Sequence, residues 1–104
     1  MSIETTHEYL KGKWQFKGQT QYGFDEIDLI IEDQVTLIKR FNGKEFEQKC
    51  FSSQGYFVDD TFLFRSPHTN FFIKEADEKS MICGEEATAL LGNPLWWVKV
   101  GRVS

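Results

Sequence analysis

The chain has 104 residues, which predicts one domain spanning residues 1–104. Its net charge is −4, and its 12 Lys and Arg residues are scattered along the sequence. This argues against binding to nucleic acid or to an anionic membrane surface, because proteins bind both through clusters of basic residues. Aromatic residues make up 15% of the chain, enough large rings to build the core of a small β fold.

The first residues predict a short helix and no export signal. Thr5 and Glu8 form a capping box, so we expect a helix over residues 6–11. The N-terminus lacks the basic and apolar regions of a secretory signal, and no apolar run approaches the roughly 20 residues of a membrane span. We therefore expect a cytoplasmic protein in which Cys50 and Cys83 are reduced, with a disulfide allowed only if they lie on neighbouring strands.

Alternating apolar and polar residues predict β-strands along most of the remaining chain. Residues 13–22 alternate strictly, with Trp14 and Phe16 on one face and Lys and Gln side chains on the other. This period of two is typical of a sheet with one face in water. We predict strands at residues 13–22, 24–33, 34–41, 44–52, 56–60, 61–66, 71–77, 80–86 and 95–103.

The turns between these strands are short. Asn42-Gly43 is the strongest hairpin signal, because a type I′ turn needs positive φ at both central residues. Residues 85–91 are the one interior stretch that favours a helical turn, and the Gly-Asn-Pro sequence that follows ends it. Further turns are predicted at residues 53–55, 66–70 and 78–79.

Sequential short strands with tight turns are typical of an antiparallel up-and-down meander. We therefore predict an all-β fold in which seven to nine strands close into a small barrel, since an open sheet exposes its edges. A β-sandwich and a two-sheet α+β fold remain as alternatives.

The stretch LKGKWQF, residues 10–16, resembles the opening of the lipocalin and fatty-acid-binding superfamily. In that family a short helix leads to Gly-x-Trp at the start of the first strand of a meander. The resemblance implies that Gly12 and Trp14 form this motif and that Arg102 packs across the indole, a cation–π contact worth about 0.5–2 kcal/mol. It also implies a barrel that binds a small apolar molecule. We expect the pocket to be lined by Trp14, Phe16, Phe62 and Phe64.

Three pairs of adjacent aromatic residues occur in the predicted strands. Neighbours on a strand point to opposite faces, so each pair places large rings on both faces of the sheet. Something must cover the second face, which suggests a homodimer or a protein-binding surface. The alternatives are a local bulge that turns both rings inward and a ring lying flat on the surface. The residues expected at this interface are Tyr56, Phe72, Trp96 and Trp97.

The sequence carries no motif that points to catalysis, a cofactor or a metal. His7 and His68 have no partner at metal-ligand spacing, and the acidic residues fall at strand ends and turns, where charges are normally solvated. We therefore expect no enzyme and predict a non-enzymatic binding protein for a small apolar ligand. The alternative is a protein–protein interaction protein, namely a homodimer, an inhibitor or an immunity-type protein that blocks a basic partner.

Overall fold

Nine β-strands contain most of the residues that the computed structural model describes, which are 10–51, 55–58, 61–66, 69–87 and 93–103. Every pairing between them is antiparallel, which confirms the predicted all-β meander. In chain order the strands are β1 (Gly12–Lys17), β2 (Glu26–Ile31), β3 (Val35–Phe41), β4 (Lys44–Phe51), β5 (Gly55–Val58), β6 (Thr61–Arg65), β7 (Thr69–Lys74), β8 (Ser80–Ala87) and β9 (Pro94–Val103).

The strands form one sheet, and its two edge strands, β4 and β5, follow each other in the chain. The order is β4-β3-β2-β1-β9-β8-β7-β6-β5, so the first and last strands lie side by side in the middle. A flat sheet of nine strands is about 38 Å wide, at about 4.8 Å per strand spacing. Yet only residues 52–54 separate Phe51 at the end of β4 from Gly55 at the start of β5, a span of at most about 15 Å. The sheet must therefore curl, and it forms an open half-barrel.

The curl brings the β1–β4 half of the sheet against the β5–β9 half. The ring of Phe51 on β4 lies 5.3 Å from that of Phe71 on β7, centroid to centroid. Along β3, buried and half-buried residues alternate, as the period of two predicts. The buried apolar core draws on both halves and includes Trp14, Ile27, Leu29, Ile31, Val35, Leu37, Phe51, Phe62, Phe64, Phe71, Ile73, Met81, Cys83, Trp96, Val98 and Val100.

Two turns have the chemistry that their sequences require. Asn42 and Gly43 have φ angles of 53° and 78°, which is the left-handed geometry of the predicted type I′ hairpin between β3 and β4. Between β7 and β8, the carboxylate of Asp77 accepts hydrogen bonds from the backbone N–H groups of Lys79 and Ser80, at 2.8 and 2.9 Å. These hydrogen bonds hold the pKa of Asp77 below its usual value.

The first strand is shorter than its alternation predicts. β1 ends at Lys17, whereas we predicted strand as far as residue 22. The Gly18 N–H still donates to the carbonyl of Asp25, the residue before β2, at 2.9 Å, and the backbone leaves the ladder after Gly18 and adopts a positive φ of 85° at Gly23. Residues 18–24 therefore form an irregular segment between β1 and β2, and this segment borders the site described below.

Several predictions fall on residues outside those described. They include residues 6–9 of the predicted helix, with its capping residues Thr5 and Glu8, as well as His7 and His68. The predicted helical turn at 85–91 is only partly described, and its first residues, Glu85 to Ala87, belong to β8. Among the described residues there is no helix of the length and apolarity needed to cross a membrane.

Candidate functional site

A cluster of four charged side chains lies inside the curled sheet. Glu85 on β8 is its centre, and its carboxylate accepts from the ammonium groups of Lys39 and Lys49, both at 2.9 Å. The Thr69 hydroxyl and the Trp96 indole N–H donate to the same carboxylate, also at 2.9 Å each. Glu47 on β4 completes the cluster at 2.7 Å from Lys39 Nζ. The four charges sum to zero, which fits the burial of Glu85 and Lys39 because an unpaired buried charge is costly.

The surroundings of Glu85 and Lys49 favour the ionised form of both groups. Burial acts to raise the pKa of Glu85, but hydrogen bonds and charge interactions with Lys49 and Lys39 outweigh it and leave that pKa below its usual value. For Lys49, burial acts to lower the pKa, and the neighbouring Glu85 and Glu47 reverse the effect and raise it. Neither group is poised to exchange a proton near neutral pH, so the cluster acts as a fixed set of charges that ties β3 and β4 to β7, β8 and β9.

A series of aromatic rings connects this cluster to the surface. The Lys39 ammonium lies 4.9 Å from the centroid of the Trp96 ring, within cation–π range. Trp96 meets Phe24 edge to face at 5.3 Å, and Phe24 stacks on Tyr22 with centroids 5.9 Å apart and an interplanar angle of 21°. Tyr22 is half-buried and borders an open groove.

This groove lies where β1 and β9 separate. Their pairing is confined to Lys13–Gln15 against Gly101–Val103 and does not continue along the rest of either strand. The resulting space has a volume of about 510 Å³ and opens to solvent, within the range of about 300–1,000 Å³ that is typical of ligand sites. The residues around it combine three aromatic rings with neutral polar groups and include no charged side chain. They are Phe16, Gln19, Thr20, Gln21, Tyr22, Trp97 and Val98.

Local hydrogen bonds hold one wall of the groove in place. The Thr20 hydroxyl donates to the carbonyl oxygen of Phe24 at 2.6 Å and accepts from the backbone N–H of Tyr22 at 3.2 Å. This arrangement fixes residues 20–24 as a compact turn, in the way that hydroxyl side chains commonly stabilise turns. The wall is therefore shaped before any ligand arrives.

Where β1 and β9 are paired, Arg102 lies across Trp14 as the family resemblance implied. The guanidinium carbon is 4.1 Å from the ring centroid. Its Nη1 donates to the Lys11 carbonyl at 2.8 Å and its Nε to the Glu78 carbonyl at 3.0 Å. Gly12 has a φ of 133°, and a Cβ there would lie 3.0 Å from Arg102 Nη1, so glycine leaves room for the cation.

The four residues predicted to line a pocket do not share one cavity. Trp14, Phe62 and Phe64 are at most 2% exposed, so no space that admits water touches them. Their rings fill the core; for example, Phe62 and Phe64 meet edge to face at 4.9 Å. Phe16 alone borders open space, and that space is the groove between β1 and β9. Close packing of large rings, which the sequence pattern does not specify, accounts for the difference.

The predicted interface residues divide between the two faces of the sheet. Strand registers place Tyr56, Leu63, Phe72, Gly84 and Trp97 in one row on the outer face, across β5 to β9. Trp97 is 50% exposed, whereas Phe72 is only 3% exposed. Phe72 fits closely over its neighbour in the row, since a Cβ on Gly84 would lie 2.7 Å from its ring.

Trp96, the remaining member of that set, is buried on the inner face. Trp97 and the half-buried Tyr56 are therefore accessible at the surface, whereas Phe72 and Trp96 are buried, and the interface itself stays a prediction. The half-buried ring of Tyr56 contacts the guanidinium of Arg65, whose carbon lies 4.9 Å from the ring centroid.

The acidic residues of β2 belong to the outer face. The Arg40 guanidinium contacts the carboxylates of both Glu26 and Asp28, and Gln15 donates a further hydrogen bond to Asp28 at 3.0 Å. Burial acts to raise the pKa of Asp28, and the hydrogen bonds from Arg40 and Gln15 lower it overall. These carboxylates therefore serve as ion-pair partners within the sheet.

The two cysteines lie on β4 and β8, which are not neighbours, and both are free. Cys50 is exposed, whereas burial and the nearby Glu85 carboxylate raise the pKa of the Cys83 thiol. Within the described residues, no three His, Cys, Asp or Glu side chains come together in a metal-binding group.

Comparison with protein-family models, with curated proteins and with solved structures finds no match to this chain. The resemblance to lipocalins and fatty-acid-binding proteins therefore depends on the arrangement around Trp14 and on the curled meander alone.

Proposed function

We propose that this chain is a non-enzymatic binding protein whose site is the groove between β1 and β9. The observation that carries the proposal is the combination of about 510 Å³ of open space with the rings of Phe16, Tyr22 and Trp97. The ionised state of Glu85 and Lys49, which fits a structural role better than proton transfer, supports the non-enzymatic part. The fold itself is compatible with a lipocalin-like construction in which ligand binding has moved from the interior to an opening between strands.

The lining of the groove indicates the class of ligand. Three aromatic rings offer apolar faces, and the side chains of Gln19, Thr20 and Gln21 carry neutral donors and acceptors. No formal charge faces the space from the residues that line it, so a charged ligand would lose hydration without gaining a partner. A neutral ligand with an apolar face and some hydrogen-bonding groups fits best.

A set of small neutral aromatic compounds, screened by amide chemical shifts, tests this proposal. We expect the largest shifts at residues 19–22 and at Trp97. Replacing Trp97 with Ala should weaken binding about two- to twelvefold, since a well-placed aromatic contact is worth about 0.5–1.5 kcal/mol. Phe46→Ala is the matched control, because Phe46 is 55% exposed on β4 and lies outside the groove. If no compound shifts these residues, the groove does not bind small neutral aromatic molecules.

A homodimer through the outer face is the second candidate function. Trp97 and Leu95 both face outward on β9, at 50% and 56% exposure, and they form the most exposed apolar part of that strand. Sedimentation velocity over a range of concentrations tests this candidate. We expect dimers that Trp97→Ala converts to monomers, and a wild-type protein that stays monomeric at high concentration would contradict it.

A further inference from the structure

The groove also exposes one edge of β9. On its other edge, β9 pairs with β8 from Pro94 to Gly101, whereas pairing with β1 is confined to Gly101–Val103. Residues 95–100 therefore have no strand partner on the β1 side among the described residues. A strand in this state presents backbone N–H and C=O groups that can pair with another chain.

We propose that the groove binds an extended peptide, which adds a short strand to β9. This inference rests on the proposed function of the groove as a binding site and names its ligand class. A small apolar molecule would contact the three rings but would leave the backbone groups of β9 to water. A peptide strand would pack its side chains against the rings and would hydrogen-bond to the backbone groups of β9, as in β-augmentation.

The dimensions suit a short segment. Residues 96–100, which follow the bulge at Leu95, form five positions of regular strand, which extend over about 17 Å at about 3.3 Å per residue. The segment 19–22 forms the opposite wall, so the added strand enters a slot and does not lie on an open sheet edge. A peptide of about five residues matches the length of this strand segment, with its middle residues beside Trp97 and Val98 in the groove.

The side chains of the slot predict the sequence character of the peptide. Trp97 points to the outer face of β9 and Val98 to the inner face, and both border the groove. Successive side chains of an added strand alternate between the same two faces. One set would then contact Trp97, and the other would contact Val98 and Phe16. Because the lining carries no charge, we expect uncharged peptides with aromatic or β-branched residues at alternate positions.

Backbone N-methylation separates this inference from simple aromatic binding. The probe is an acetylated and amidated pentapeptide, Val-Thr-Phe-Thr-Val, titrated against the 104-residue chain and followed by amide chemical shifts. Two derivatives carry N-methyl groups, one at the odd positions and one at the even positions. In an added strand only one set of N–H groups faces β9, so one derivative should lose about tenfold or more in affinity and the other should lose little.

Three results would count against the inference, and they are distinguishable. Equal tolerance of both methylation patterns means that side chains alone hold the peptide, which overturns strand addition but leaves the groove as a binding site. Binding of neutral aromatic compounds without any binding of the peptide also overturns strand addition and leaves the groove as a binding site. If neither class of probe shifts residues 19–22 and 95–100, the inference and the proposed function fail together.

Discussion

Replacing Glu85 with Gln is the sharpest test of how the two halves of the sheet are held together. The Glu85 side chain is 1% exposed, and its carboxylate accepts from two ammonium groups, a hydroxyl and an indole N–H. Gln has nearly the same shape, but it is neutral and turns a donor toward the lysines. The change leaves Lys39 and Lys49 with Glu47 as their one acidic partner within the cluster.

Removing one member of a buried ion pair typically costs about 3–5 kcal/mol. Lys49 is one-third exposed and recovers some hydration, so we expect a value near the lower end, about 3 kcal/mol. A domain of this size has a total stability of about 5–15 kcal/mol, so the loss is a large fraction of it. Each kcal/mol should lower Tm by about 4 °C or more.

Urea unfolding followed by tryptophan fluorescence measures this effect, because Trp96 donates directly to Glu85. Glu45→Gln, on the exposed part of β4, is the matched control and should change stability by less than about 0.5 kcal/mol. If the free energy of unfolding of Glu85→Gln lies within about 0.5 kcal/mol of the wild-type value, the cluster does not hold the two halves of the sheet together.

Three further predictions follow from other contacts. Because the folded-state pKa of Glu85 is lowered, its contribution to stability is present above its unfolded pKa of about 4.3 and is lost as the pH falls through the folded pKa; acid titrations of stability should therefore be steeper for the wild type than for Glu85→Gln. Arg102→Ala should cost about 1–3 kcal/mol in urea unfolding, because it removes the cation over Trp14 and two hydrogen bonds to carbonyls, whereas Arg102→Lys should recover only part of that loss. Gly84→Ala should cost about 1–3 kcal/mol or more by the same method, since the added Cβ overlaps the Trp96 carbonyl oxygen, and a variant as stable as the wild type would contradict this close approach.

Much of the fold could be predicted from local pattern. The alternation along β3 and the Asn42-Gly43 turn depend on neighbouring residues, and both appear in the structure as predicted. The predicted end of β1 at residue 22 was wrong, because the alternation of side chains continues past Lys17 although the backbone leaves the sheet after Gly18. Periodicity reports which side chains alternate and does not report where a hydrogen-bonded ladder stops.

The charge cluster was missed, although one signal for it was present. Lys39 occupies the same phase of β3 as Val35 and Leu37, which places a charge on the inner face. Its partner Glu85 lies 46 positions later, and the contact between them exists only because the sheet curls. The groove was missed for a related reason, since it depends on where β1 and β9 separate, and that is a property of two strands at opposite ends of the chain.

Trp96 and Trp97 show how far the alternation rule reaches. The rule places them on opposite faces, and the structure does the same, with Trp96 hydrogen-bonded to Glu85 and Trp97 half-exposed beside the groove. The rule does not predict what contacts the outward ring of Trp97, which borders the groove.

Amide hydrogen exchange along β9 tests directly whether the edge of β9 in the groove is open and accepts an added strand. If the edge facing β1 is open for binding, every second amide between Trp96 and Val100 should exchange quickly in the free protein, while the amides bonded to β8 stay protected. Adding the pentapeptide should protect the fast set and leave the other unchanged. Full protection of all five amides in the free protein, or fast exchange that the peptide does not alter, would contradict strand addition at this edge.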